Sequence, residues 1–167
     1  KIHSMNFGIF GGTFNPPHMG HLIVIESVWD QLHFDKILFV PSSTPPNKSD
    51  PLMPAAADRL EMTRLAIHGN PSFGVSDIEA RRGGVSYSID TLNELTEHYP
   101  RASFSLIIGA DNVLEFQTWK SPKEILARAD LVVLSRPGFD VQNAKNEFVR
   151  MAKFVNVPQI GISGTDI

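Results

Sequence analysis

Two histidines three positions apart, His18 and His21, close the stretch GGTFNPPHMGH that begins at Gly11. A neutral imidazole donates a hydrogen bond to a phosphate oxygen, and a protonated one also offsets charge developing in phosphoryl chemistry. Where a loop turns into a helix, such a pair would add to the unpaired N–H groups and partial positive charge of the helix mouth, which already favour an anion. The chemistry indicated is phosphate binding or phosphoryl transfer. Two other readings stand beside it. The loop is only a strand-to-helix turn whose histidines cap or pack, or the pair ligates a metal, as a three-residue spacing on a helix allows. No second histidine cluster or acidic triplet completes a metal centre in the sequence. Gly11 and Gly12 are read as supplying positive φ angles and letting a ligand approach the backbone.

Holding such a loop in place requires a strand before it and a helix behind it. The apolar run at 6–10 predicts the strand. Leu22, Ile25, Val28 or Trp29, and Leu32 recur at helical spacing, predicting a helix over 21–32. Further strands are predicted at 36–40, 73–78, 103–108 and 131–135, with a weaker one at 154–157. Helices are predicted at 55–68, 88–99, 112–116, 122–128 and 143–151. Residues 41–54, with five prolines, and 79–87, basic and glycine-containing, read as loops. Short apolar strands alternating with helices predict an α/β fold, a Rossmann-like parallel sheet with helices on both faces. Ligands of such sheets bind beyond the carboxyl ends of the strands. Four segments fall there: 11–21, 41–48, 79–88 and 109–119.

Composition narrows the partners. The 167 residues carry 15 basic and 18 acidic side chains, a net charge of −3, and 42% are apolar, which excludes a disordered chain and argues against nonspecific nucleic-acid binding. Arg81-Arg82 is the only adjacent basic pair and makes no stripe. No apolar run approaches the ~20 residues of a membrane span, and no secretory leader is visible. The absence of cysteine removes thiolate chemistry and suits a reducing, cytoplasmic setting. A homo-oligomer is compatible with the sequence. Residues 1–4 read as an expression remnant before Met5, leaving one domain over 5–167. The last residues read as a turn opening a helix, with Ser163 or Thr165 as its N-cap, so helical chain is expected beyond 167.

The extended motif resembles the HxGH nucleotidyltransferases and, among them, the bacterial nicotinate-nucleotide adenylyltransferases. The resemblance continues through PSSTPPNK, DRLEMTRLAI, DIEARRGGVSYSIDTL, IIGADNVLEFQTW, VVLSRPG and GISGTDI. It implies a nucleotidyltransferase-type fold and transfer of the adenylyl group of ATP to nicotinate mononucleotide, giving nicotinate adenine dinucleotide and pyrophosphate in NAD biosynthesis. On it, His18 and His21 are catalytic and meet the ATP phosphates. Gly11, Gly12, Thr13, Phe14, Lys48, Gly109, Asp111, Arg136, Ser163 and Thr165 would hold ATP, while Tyr87, Ser88 and Trp119 would hold the pyridine mononucleotide. Ser88 stands for the family's threonine and alternatively caps the following helix. Asp111 alternatively caps the 112–116 stretch, and Trp119 is alternatively a core indole. Mg²⁺ would bridge ATP phosphates without an assigned protein ligand. Asn47 replaces the family's histidine and Gly164 a serine, and the family arginine after Ile167 is absent. The rival readings are another HxGH transferase, such as the pantetheine-phosphate enzyme, and a nucleotide-binding sensor without turnover.

Overall fold

Alternation along the central strands sends side chains to two separate cores. In β1 (Asn6–Gly12), Phe7 and Ile9 point to one, while Gly8 and Phe10 face the other. β2 (Lys36–Pro41) divides likewise into Leu38 and Val40 against Ile37 and Phe39. Strands buried on both faces belong to a parallel sheet covered on both sides. The computed structural model, which describes residues 4–46, 50–135, 138 and 146–161, has that architecture.

Four further strands complete the sheet: β3 (Phe73–Val75), β4 (Ser103–Gly109), β5 (Asp130–Ser135) and β6 (Lys153–Asn156). All are parallel, in the order β3-β2-β1-β4-β5-β6. α1 (Met19–Leu32) and α2 (Ala56–Ile67) cover one face through Ile25, Val28 and Ile67. The opposite face is covered by α3 (Ile78–Arg82), α4 (Ser88–His98), α5 (Ala110–Glu115), α6 (Pro122–Arg128) and α7 (Glu147–Met151), with a 3₁₀ turn at Phe116–Thr118. α1 ends where His33 adopts a left-handed conformation (φ 53°) and returns its N–H to Trp29 O at 2.8 Å. No helix among the described residues is long and apolar enough to cross a membrane.

Two expectations needed correction. The third strand is three residues rather than six, and much of the expected 79–87 loop is α3. Ile78 hid the boundary, because it is buried under the sheet from a helix rather than from a strand. Gly83 and Gly84, with φ of 69° and 68°, then end the helix. At the weaker end, β6 runs Lys153–Asn156, and α7 is shorter than the predicted 143–151, of which 143–145 lie outside the described residues.

The chain leaves β1 toward β2 on one side, whereas β4 lies on the other. The loops after β1 and β4 therefore open side by side at the point where the strand order reverses, the position at which such sheets take ligands.

Candidate active site

His18 is the N-cap of α1, in extended conformation, and His21 is its third residue. The His18 main-chain N–H donates to His21 Nδ1 at 3.1 Å. The reciprocal approach of the His18 ring to the His21 N–H has the capping-box arrangement but not full hydrogen-bond geometry, so His18 Nδ1 is buried without a partner among the described residues. The rings lie 3.8 Å apart, inclined by 30°. Because His21 Nδ1 accepts a hydrogen bond, the neutral ring carries its proton on Nε2 and has a donor to offer. Burial, and secondarily the charge of His18, push the His21 pKa down to about 4, so the ring is neutral near pH 7.

Gly20 explains the middle of the motif. A Cβ there would stand 2.9 Å from Cε1 and from Nδ1 of His18, so only glycine lets the first ring lie against the helix mouth. Phe14 holds the second ring from behind. It is 3% exposed, takes an unusual φ of 50°, and meets His21 edge-on at 5.3 Å between centroids. Gly12 lacks a Cβ where the Phe14 ring would collide with one, at 3.0 Å. The expectation that Gly11 and Gly12 supply positive φ is thus corrected: both lie within β1, and the positive φ is at Phe14. Gly11 is exposed, and the nearest atom to a Cβ built on it is Val40 O at 3.9 Å. At Gly109 the nearest is Asn112 Nδ2, also at 3.9 Å. Packing among the described residues demands glycine at neither position, since a Cβ there would make only an ordinary contact.

On the β4 side, Gly109 is the N-cap of α5, so Asp111 lies in the first turn, exposed, and does not cap the helix as the alternative held. Ser88 likewise is the first residue of α4 rather than its cap, which is Tyr87, and no side chain caps that end. Trp119 is half-buried against the core and lies 5.2 Å from the Phe116 ring. Lys120 Nζ stands 4.7 Å above the Tyr87 ring and bonds Asp90 at 3.1 Å, which joins the Trp119 segment to the start of α4. Tyr87, Ser88 and Trp119 therefore share one shelf. Lys48, Arg136, Ser163 and Thr165, with Asn47 and Gly164, lie outside the described residues.

Sequence reasoning missed three buried polar residues beneath these loops: Arg59, Glu79 and Ser86. For Arg59 a signal existed. It stands four residues before Thr63 and eight before Ile67, on the buried face of α2, where an unpaired arginine is out of place. Among the described residues no group of three or more metal-ligating side chains gathers anywhere.

The sequence model of the cytidylyltransferase-like family matches residues 9–167. The chain is 40% identical over 163 residues to a "Probable nicotinate-nucleotide adenylyltransferase" of Salinibacter ruber, covering 98% of this chain and 84% of that protein. It is 41% identical over 158 residues to a protein of the same name from Oceanobacillus iheyensis, covering 95% and 80%. Its fold is similar to that of the Plasmodium falciparum nicotinic acid mononucleotide adenylyltransferase complexed with NaAD. There the TM-score is 0.77 at 19% identity, over 98% of this chain and 82% of that one.

Proposed function

This chain belongs to the nicotinate-nucleotide adenylyltransferases, within the cytidylyltransferase-like family, and from that premise we propose how its site works. It transfers the adenylyl group of ATP to nicotinate mononucleotide in NAD biosynthesis. An oxygen of the mononucleotide 5′-phosphate attacks the α-phosphorus of ATP. The bond from that phosphorus to the oxygen bridging it to the β-phosphate breaks, and pyrophosphate leaves with the electron pair. The nucleophile is already ionised, so no general base is needed and the protein's task is alignment and charge stabilisation.

The observation that carries this reading is the pair of closely packed imidazoles at the mouth of α1, with the His21 Nδ1 turned inward to the backbone. A neutral ring with a pKa near 4 is a poor acid–base catalyst at pH 7 but a fixed N–H donor, suited to the oxygens around the α- and β-phosphates. Gly11 and Gly109 let the nucleotide approach the strand ends, Thr13 and the Phe14 backbone flank it, and Asp111 faces its nucleoside half. Lys48, Arg136, Ser163 and Thr165 complete the phosphate side. Tyr87, Ser88 and Trp119 receive the pyridine mononucleotide, with Trp119 stacking on its ring. The donor set is two imidazoles with no carboxylate cluster among the described residues, which suits a Mg²⁺ that arrives on the ATP phosphates. When bound there, such an ion would supply charge neutralisation for the pyrophosphate leaving group. Residues 5–167 act as one nucleotidyltransferase domain, and the cysteine-free chain works in the cytoplasm.

The test is pyrophosphate release from ATP with nicotinate mononucleotide, nicotinamide mononucleotide and phosphopantetheine as separate acceptors. Fastest turnover is expected with the first. Turnover with phosphopantetheine alone would overturn the reading.

A further inference from the structure

Arg59 is 1% exposed, yet its partners are not carboxylates. Its Nε donates to Pro54 O at 3.0 Å, Nη1 to Thr13 O at 2.8 Å and Nη2 to Ser43 O at 2.9 Å. Among the described residues no carboxylate forms an ion pair with it. Burial lowers its pKa, but a guanidinium keeps its charge in a protein. Filling the space under α2 with an apolar side chain would avoid the desolvation of that charge. What an arginine adds is a planar fork that fixes the directions of several acceptors at once.

The acceptors belong to different parts of the site. Thr13 lies in the connection that carries His18. Ser43 and Pro54 lie near the two ends of the connection between β2 and α2. The Ser43 peptide is also held from its other side, since its N–H donates to Ser86 Oγ at 2.9 Å. Ser86 N–H donates to Thr44 O at 2.9 Å, Thr44 N–H donates to Gly84 O at 3.2 Å, and Thr44 bridges Val85 in parallel. Behind Ser86 stands buried Glu79, whose carboxylate lies near that serine and accepts from Thr91 Oγ1 at 2.6 Å. A chain of part-buried hydrogen bonds thus runs from Thr13 through Arg59 and Ser43 to Ser86, with buried Glu79 beside it. It starts in the histidine-bearing loop and ends beneath Tyr87 and Ser88.

We propose that Arg59 is a positioning residue that sets the spacing between the ATP half and the mononucleotide half of the site, acting through the Ser43 peptide on Ser86. This rests on the function proposed above. In a transfer between two phosphates the protein's main work is alignment, and a displacement of about 1 Å can cost ~10²-fold in rate.

Two variants test it in the full chain. Arg59→Lys keeps the positive charge but cannot direct three N–H groups at three carbonyls. Ser86→Ala leaves Arg59 intact and breaks the far end of the chain. Calorimetry with ATP, with nicotinate mononucleotide and with nicotinate adenine dinucleotide, which spans both halves, separates spacing from local damage. In each variant kcat should fall at least ~10-fold and dinucleotide affinity by a similar factor, while each single substrate keeps its affinity within ~3-fold. The double variant should be little worse than the worse single, because both break one connection. Equal weakening of all three ligands, or unchanged kcat, overturns the proposal. Should Arg59→Lys not fold, Ser86→Ala decides by the same outcomes. Wild-type protein that makes no dinucleotide removes the functional reading and this inference together. Wild-type turnover with parallel losses in the variants removes the inference alone.

Discussion

The histidine mouth and the aromatic shelf are built on opposite plans. At the mouth of α1, every contact that orients a ring is buried or part-buried: Phe14 behind His21, the His18 N–H on its Nδ1, and Gly20 beneath His18. At the shelf, Tyr87 and Trp119 are half-buried, and the bond between Lys120 and Asp90 faces solvent. Buried contacts hold a geometry against thermal motion, whereas a solvent-facing ion pair contributes little and yields easily. The two regions divide the labour. The mouth is preorganised, so damage there should fall on kcat. The shelf is adaptable, so damage there should fall on KM for one substrate.

The largest effect should come from His18→Ala, which should lower kcat by at least ~10²-fold with the thermal midpoint nearly unchanged, as for loss of a preorganised donor. Near-normal turnover would remove His18 from the mechanism. Gly20→Ala sharpens the point, because it touches no substrate and acts only by pushing the His18 ring from the helix. A loss of roughly 10-fold or more in kcat is expected, and an unchanged kcat would mean that the ring position is unimportant. On the shelf, Trp119→Ala should raise KM for the mononucleotide by ~10-fold, the worth of one stacking contact, while KM for ATP stays put. Equal rises for both substrates, or a collapse of stability, would return Trp119 to the core.

Titration probes the mouth without a ligand. The fold lowers the His21 pKa from 6.5 to about 4, so it favours the neutral ring. That contribution to stability is fully present above pH 6.5 and is lost as the pH falls toward 4. The denaturation free-energy gap between wild type and His21→Asn should therefore narrow over that range. A gap independent of pH would show that the ring is not held neutral. The smallest effect belongs to Lys120→Met, at most ~3-fold in KM for the mononucleotide, as befits a half-exposed cation. A larger change would make the shelf as preorganised as the mouth and erase the contrast.

Much of the sheet was legible because buried parallel strands are short, mainly apolar runs. Residues 36–40 and 103–108 could hardly be anything else, and the strands found there each extend one residue further. The failures have two causes. Ile78 is apolar in a strand or in a helix, so the run 73–78 concealed a change of element at Ser76 and Asp77. Gly12 was read for its backbone freedom, yet its role is to leave room for the Phe14 ring, a contact between residues on either side of a bend.

By itself, the sequence determined the alternation of strands and helices, the placing of four segments beyond the strand ends, and a motif with two imidazoles at one helix mouth. These follow from local periodicity and residue type, which each segment carries alone. Only the tertiary structure decided that the His21 Nδ1 is occupied, which leaves Nε2 to carry the proton of the neutral ring. It also decided that Gly20 makes room for an imidazole, and that Arg59 ties Thr13 to Ser43 across 30 positions of chain. Those facts depend on the direction in which a side chain points after distant segments have packed together, and no local pattern of residues encodes a direction.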